Sequence, residues 1–302
     1  MFAHLSGVYA ASLTPLYPDF SPSLGDLIRL LEFLAGRGCH GALLLGTTGE
    51  GTSFAPEERR AIFFAAREVR QGFPEFRLLA GTGTPSLEET IQLTRLAFEI
   101  GFDGVVVLPP YYYRKVSDDG LFIWYAEVFR RAVPSGAALF GYHFPGVSGV
   151  GLSLDLLARL KDAFPDRFAG IKDSSGDPEY AFQLGQRFGP DLTVLTGSDR
   201  LFSHALINHA SGCITALANL YSPTLRQVWE AHRSGETDVR AQAQTVLDAG
   251  RGVLEAYPPA PPLLKAVLSR RHALPRWALR PPLMPLSAEA EEQACQQFAQ
   301  VG

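Results

Sequence analysis

The stretch FAGIKDSSGD, residues 168–177, begins as a short, nearly all-apolar run and ends that run on one lysine, Lys172. A strand with one wet face alternates apolar and polar residues. A run without that alternation suits a strand covered on both faces, as in a parallel sheet. Seven more runs share this character, namely GVYAASLTPL (7–16), GALLLG (41–46), RLLAGTG (77–83), GVVVLPP (104–110), AALFGYHFP (137–145), LTVLTGSD (192–199) and GCITALAN (212–219).

The segments between the runs read as amphipathic helices. SPSLGDLIRLLEFLAGRG sets Leu24, Leu27, Ile28, Leu31 and Leu34 on one face and offers Gly36 and Gly38 as a stop. SLEETIQLTRLAFEIG opens with Ser86 and Glu89 at capping-box spacing and closes on Gly101. SPTLRQVWEAH comes after the eighth run. A strand–helix unit repeated eight times predicts an α/β chain folded as a (β/α)8 TIM barrel over residues 1–230. An open doubly wound sheet is the alternative, and the lack of a G-x-G-x-x-G after the first run weakens its dinucleotide-binding form. Beyond residue 230 the strand runs cease, and three proline-punctuated helical segments predict a C-terminal three-helix extension over residues 231–302. It would pack on the barrel or on a neighbouring subunit. The basic stretch SRRHALPRWALR (269–280) reads as a solvated or intersubunit face rather than an anion patch.

Composition narrows the partners. The chain has 302 residues, 46% of them hydrophobic, enough for a large core. A net charge of −4 argues against nucleic acid as the main partner and leaves room for a small anionic substrate at a local site. Three widely spaced cysteines, Cys39, Cys213 and Cys295, suggest neither a disulfide framework nor a zinc site. The N-terminal stretch lacks a basic region of signal-peptide type, and no apolar run approaches the roughly 20 residues that span a bilayer. The expectation is a soluble, cytoplasmic protein without a membrane partner.

Chemistry in such a barrel gathers at the C-terminal ends of the strands. Those ends carry Thr14 and Pro15, GTTGEG (46–51), GTG (81–83), PPYYYR (109–114), YHFP (142–145), Lys172, TGSD (196–199) and ALAN (216–219). A metal-dependent aldolase or hydrolase needs several histidine or carboxylate ligands, and only His143 stands at a strand end. Strand alternation sends it to the face opposite Tyr142, and His204 and His209, five apart, do not share a helix face. No metal is expected. A lysine among tyrosines and threonines suits carbonyl chemistry instead. A neutral ε-amine attacks a ketone, desolvation favours the neutral form, and the Schiff base stabilises a carbanion on the next carbon. A tyrosine oriented by a second hydroxyl can move the protons. Taken singly, each feature has a plainer reading. Lys172 suits a snorkelling lysine or a partner for Asp173 or Asp177, GTTGEG a linking turn, and PPYYYR a packed aromatic loop. Only their meeting at one end of one barrel gives them weight.

These motifs, GTTGE, PPYYYR, YHFPGVSG and GIKDSSGD, together with the ending RPPLMPLS (280–287), resemble the pyruvate-dependent class I aldolase superfamily of N-acetylneuraminate lyase and dihydrodipicolinate synthase. The resemblance runs over essentially the whole chain. It implies a Schiff base between Lys172 and pyruvate or another 2-oxo acid, with no cofactor beyond that covalent link. It implies Tyr142 as the acid/base, Thr47 linking it to Tyr112, and Tyr112 reaching into a neighbouring subunit. Thr47 and Thr48 would hold the pyruvyl carboxylate, and Gly197, Asp199 and Arg200 would meet the rest of the substrate. The expected assembly is a homotetramer, a dimer of dimers.

Departures from the family patterns bear on the substrate. Val147 stands where dihydrodipicolinate synthases place an arginine for the aldehyde's carboxylate. Neuraminate lyases bind the sugar tail with an Asp-Glu pair and a serine, and the matching positions here hold Asp199, Arg200 and Ala216. The expected activity is therefore an aldolase or lyase acting on another 2-oxo acid, of the 2-keto-3-deoxy sugar acid or 4-hydroxy-2-oxo acid type. A dihydrodipicolinate synthase-like enzyme or hydro-lyase of the same superfamily, and a non-catalytic barrel that binds a 2-oxo acid, are the alternatives.

Overall fold

The computed structural model describes residues 2–301. Its eight strands are β1 (Gly7–Ala11), β2 (Gly41–Leu44), β3 (Arg77–Gly81), β4 (Gly104–Val107), β5 (Ala138–His143), β6 (Phe168–Asp173), β7 (Thr193–Thr196) and β8 (Gly212–Thr215). They pair in parallel in chain order, and β8 returns to β1 to close the barrel. The chain is a (β/α)8 TIM barrel with C-terminal helices. Every strand falls inside its predicted run, and several runs overshoot at their C-terminal ends. GVYAASLTPL, for instance, stays paired only to Ala11. Past β1 and β4 the residues keep an apolar composition but leave the ladder to build loops.

The helices are α1 (Leu24–Gly36), α2 (Pro56–Ala66), α3 (Val69–Gly72), α4 (Leu87–Ile100), α5 (Asp118–Ala132), α6 (Pro145–Ser148), α7 (Leu154–Ala163), α8 (Pro178–Phe188), α9 (Phe202–Ile207), α10 (Ala218–Ser234), α11 (Thr237–Ala256), α12 (Ala260–His272) and α13 (Ala288–Ala299). The Ser86 hydroxyl accepts from the Glu89 N–H at the start of α4, and Gly101 ends that helix at φ 94°, a left-handed cap that suits glycine. On α1 the buried face is Leu27, Leu30, Leu31 and Leu34, while Leu24 and Ile28 are only half-buried. Among the described residues no helix is long and apolar enough to cross a membrane.

Two apolar layers result. Tyr9, Leu43, Leu79, Val106, Phe140, Leu195 and Ile214 fill the inside of the barrel. Residues of the opposite strand face, such as Val8, Leu44, Leu78 and Ile171, pack against the helices. On β6 this alternation breaks. Leu139 pairs with Phe168 but Phe140 pairs with Gly170, so β6 carries one extra residue. Such a bulge shifts the side-chain phase by one position. Ala169 faces inward, Ile171 faces the helices, and Lys172 comes into step with Tyr142 across the β5–β6 pairing. Gly170 permits the close approach, because a Cβ there would lie 1.9 Å from the Thr193 carbonyl oxygen.

The last part of the chain packs against α10 and then returns to the loops after β1 and β2. Trp277 is buried and donates to Asp26, and the Ala278 N–H donates to the Leu16 carbonyl. Arg280 donates to Phe20 and Ser53 carbonyls and pairs with Glu58. The stretch 269–280, expected as a solvated or intersubunit face, is at its end an anchor inside its own chain. Its cations find partners from other elements, which local charge pattern does not reveal.

Candidate active site

Lys172 and Tyr142 occupy the C-terminal ends of neighbouring strands and are 3% and 5% exposed. The Lys172 Nζ lies 4.1 Å from the centre of the Tyr142 ring. Among the described residues no carboxylate oxygen comes within ion-pair distance of that nitrogen, so the alternatives in which Asp173 or Asp177 pairs with it do not apply. Asp173 is engaged otherwise: it accepts from the Ser175 N–H at 3.0 Å, and burial pushes its carboxyl above the usual range. The Tyr142 hydroxyl meets the Thr47 hydroxyl at 3.4 Å, and Phe144 stacks on its ring.

A cavity of about 140 Å³ opens beside this pair, walled by Thr47, Arg59, Tyr111, Tyr142, Val147 and Ser148 among others. Lys172 is not in the wall and adjoins it through Tyr142. Thr47 is exposed, whereas Thr48 beside it is buried. The turn that carries them is fixed from below, where the Thr14 hydroxyl donates to the Gly49 carbonyl at 2.7 Å. Val147, half exposed on α6, presents an apolar side chain to the cavity.

The other expected residues lie apart. Gly197 follows β7 and its N–H donates to the Asp173 carbonyl, next to the end of the Lys172 strand. Asp199 is fully buried, and its Oδ2 takes an N–H from Arg251 of α11 at 3.2 Å. Burial raises its carboxyl pKa, and Arg251 opposes that. Arg200 points to Glu255, at 2.7 Å on the half-exposed surface. Both are thus engaged by α11 and not aimed at the cavity. Tyr112 is 76% exposed and touches Tyr113 edge-on. His143 faces the helices as alternation requires: its Nδ1 accepts from the Leu152 N–H and its ring stacks on Tyr180 at 4.3 Å.

Two buried residues around the site carry no signal in the sequence pattern. Arg59, on α2, is 4% exposed in the cavity wall, and its Nε donates to the Phe54 carbonyl. Its position on a helix rather than at a strand end hides it. Glu50 of GTTGEG is buried against Lys265, 215 residues away, a pairing with no local signal.

A family model, the dihydrodipicolinate synthetase family, matches residues 4–300. The chain belongs to the dihydrodipicolinate synthetase family. An uncharacterized DapA-like lyase of Chloroflexus aurantiacus is 39% identical over 94% of this chain and 92% of its own. A 4-hydroxy-tetrahydrodipicolinate synthase of Thermus thermophilus is 36% identical over 94% of both. YagE, a family member from E. coli K12 solved in complex with pyruvate, superposes with a TM-score of 0.90 at 26% identity, covering 98% of both chains. As a member of the dihydrodipicolinate synthetase family the chain is related to lyases along nearly its whole length.

Proposed function

We propose that this family member is a Schiff-base lyase that cleaves or forms a C–C bond adjacent to the keto group of pyruvate or a related 2-oxo acid. The observation that carries the reading is the buried Lys172 beside Tyr142, with no carboxylate to neutralise it. An unpaired buried amine is costly unless it is neutral or used.

In the cleavage direction the neutral Lys172 amine adds to the keto carbon, Tyr142 gives its phenol proton to the departing hydroxyl, and water leaves, giving an iminium and a phenolate. The Tyr142 phenolate then takes the proton of the hydroxyl two carbons from the imine carbon. The bond between the carbon bearing that hydroxyl and the one next to the imine then breaks. An aldehyde departs and the electron pair is held as an enamine. Protonation of the enamine carbon and addition of water release pyruvate and the free amine. Thr47 orients Tyr142, as their 3.4 Å contact supports, and Thr47 and Thr48 with the turn's N–H groups hold the carboxylate. Tyr112, exposed here, would act in the site of a neighbouring subunit of a homotetramer.

The substrate class is a 2-keto-3-deoxy sugar acid or a 4-hydroxy-2-oxo acid. Borohydride trapping across a panel of 2-oxo acids, followed by a screen for pyruvate release, tests the reading. Trapping with release supports it. Trapping without turnover of any panel member favours a 2-oxo-acid-binding barrel, and no trapping at all removes the Schiff base.

A further inference from the structure

The glutamate of GTTGEG takes no part in the chemistry above, yet it is held on both carboxylate oxygens. Glu50 is 4% exposed. Its Oε1 accepts from the Lys265 Nζ at 2.5 Å, and its Oε2 accepts from the Arg280 backbone N–H at 3.2 Å. Lys265 is fully buried and gives another N–H to the Ala278 carbonyl at 2.7 Å. Just beyond the turn, the Arg280 side chain donates to the Ser53 carbonyl at 2.5 Å. The helix α12 and the segment after it therefore grip the loop that carries Thr47 and Thr48.

That loop needs holding. Leu45 and Glu50, at its two ends, both have φ of 56°, the left-handed region that side chains other than glycine rarely adopt. Between them the chain closes tightly, since a Cβ on Gly51 would lie 1.9 Å from the Leu45 carbonyl oxygen. Such conformations persist where their surroundings over-determine them. A buried ion pair is in itself weak evidence for stability, because desolvation offsets the attraction. A pair joining the active-site turn to the C-terminal helices has another use.

We infer that Lys265, acting through Glu50, is a positioning residue for the Thr47–Thr48 turn, so that the C-terminal helices set the affinity for the substrate's carboxylate. This rests on the proposed role of that turn. The helices and the barrel then form one functional unit, although Lys265 touches no substrate.

The test is the double variant Glu50→Gln/Lys265→Met. Removing both charges of a buried pair together is often close to neutral for stability, so the barrel survives while the lock is lost. Two readouts are made: the pyruvate concentration giving half-maximal borohydride trapping, and hydrogen exchange along the chain. Half-saturation should rise by about tenfold or more, with full trapping at saturating pyruvate. Amides of residues 46–51 should exchange faster while those of β5 and β6 keep their protection. Wild-type half-saturation with unchanged exchange in the turn overturns the inference. Uniformly faster exchange across the barrel does so too, since it marks a merely structural pair. If the double variant fails to fold, Glu50→Gln alone is measured in the same two ways, and failure of both to fold also assigns the pair to stability. If the wild-type protein traps no 2-oxo acid, the reading of the site fails, and the exchange pattern still decides whether Lys265 holds the turn.

Discussion

Tyr142 and Lys172 stand opposite each other in the β5–β6 pairing, with the lysine nitrogen 4.1 Å from the centre of the tyrosine ring. The phenol hydroxyl meets the Thr47 hydroxyl at 3.4 Å, the contact on which the proposed proton transfer relies. Tyr142→Phe removes one oxygen and keeps the packing. Turnover should fall by about 10²- to 10⁴-fold with the thermal midpoint little changed. Thr47→Val breaks a long hydrogen bond and should lower turnover by no more than about tenfold, while its proposed part in holding the carboxylate shows separately as a higher KM. Steady-state assays of pyruvate release on both variants check this ordering, and a Tyr142→Phe enzyme at wild-type rate would remove Tyr142 from the mechanism.

The bulge on β6 decides where Lys172 points. Gly170→Ala puts a methyl group 1.9 Å from the Thr193 carbonyl oxygen, so β6 and β7 must separate or the bulge must rearrange. Overpacking of this kind costs about 1–3 kcal/mol, readable as a lower denaturant midpoint. Borohydride trapping should fall beyond what the unfolded fraction explains. A variant that traps as the wild type does would show that the bulge is not what aims the lysine.

Buried histidine gives the protein a pH-dependent stability. Burial pushes His143 down from 6.5 to about 4, with Asp177 opposing only weakly. His40 falls to about 4 through burial and the nearby Arg226 and Arg77. In each case the fold prefers the neutral ring, and the unfolded chain takes up the proton first. Their contribution is fully present above about pH 6.5 and is lost as the pH falls toward about 4. Urea midpoints measured through that window should fall with pH, and His143→Phe should flatten the slope. An unchanged slope in that variant would contradict the assignment.

Val147 bears on substrate choice. It is 53% exposed at the cavity and supplies neither charge nor donor. A substrate carboxylate placed there would forgo a charged hydrogen bond of about 1.5–3 kcal/mol. Aspartate semialdehyde should therefore be a poor second substrate, although pyruvate still forms its Schiff base. Coupled assays with both compounds test this. Efficient condensation would mean that another cation serves. Arg200 is already committed to Glu255, while Arg114 packs against Gly149 beside α6 and would be the first to substitute.

The barrel is legible in the sequence because a strand buried on both faces needs a continuous apolar run, and eight such runs come at strand–helix spacing. Their ends are not, since LTPL and LPP continue the same apolar composition after the ladder has stopped. Lys172, Tyr142 and Thr47 are found at strand ends and do come together. The bulge that aligns Lys172 leaves no pattern: a lone glycine in an apolar run has many readings. Asp199 also follows a strand, yet its partner Arg251 lies 52 residues on, and only the fold reveals that α11 takes it. Glu50 is hidden for the same reason, paired across 215 residues with a lysine in a helix that looks ordinary by itself.

The chain's four lysines, Lys115, Lys161, Lys172 and Lys265, make the Schiff-base assignment directly measurable. The protein is incubated with pyruvate and borohydride, digested, and the reduced adduct is mapped by mass spectrometry, with and without EDTA. One adduct is expected, on the peptide containing Lys172, absent from Lys172→Ala and indifferent to EDTA. An adduct on another lysine, or one that persists in Lys172→Ala, would contradict the assignment of Lys172 as the nucleophile.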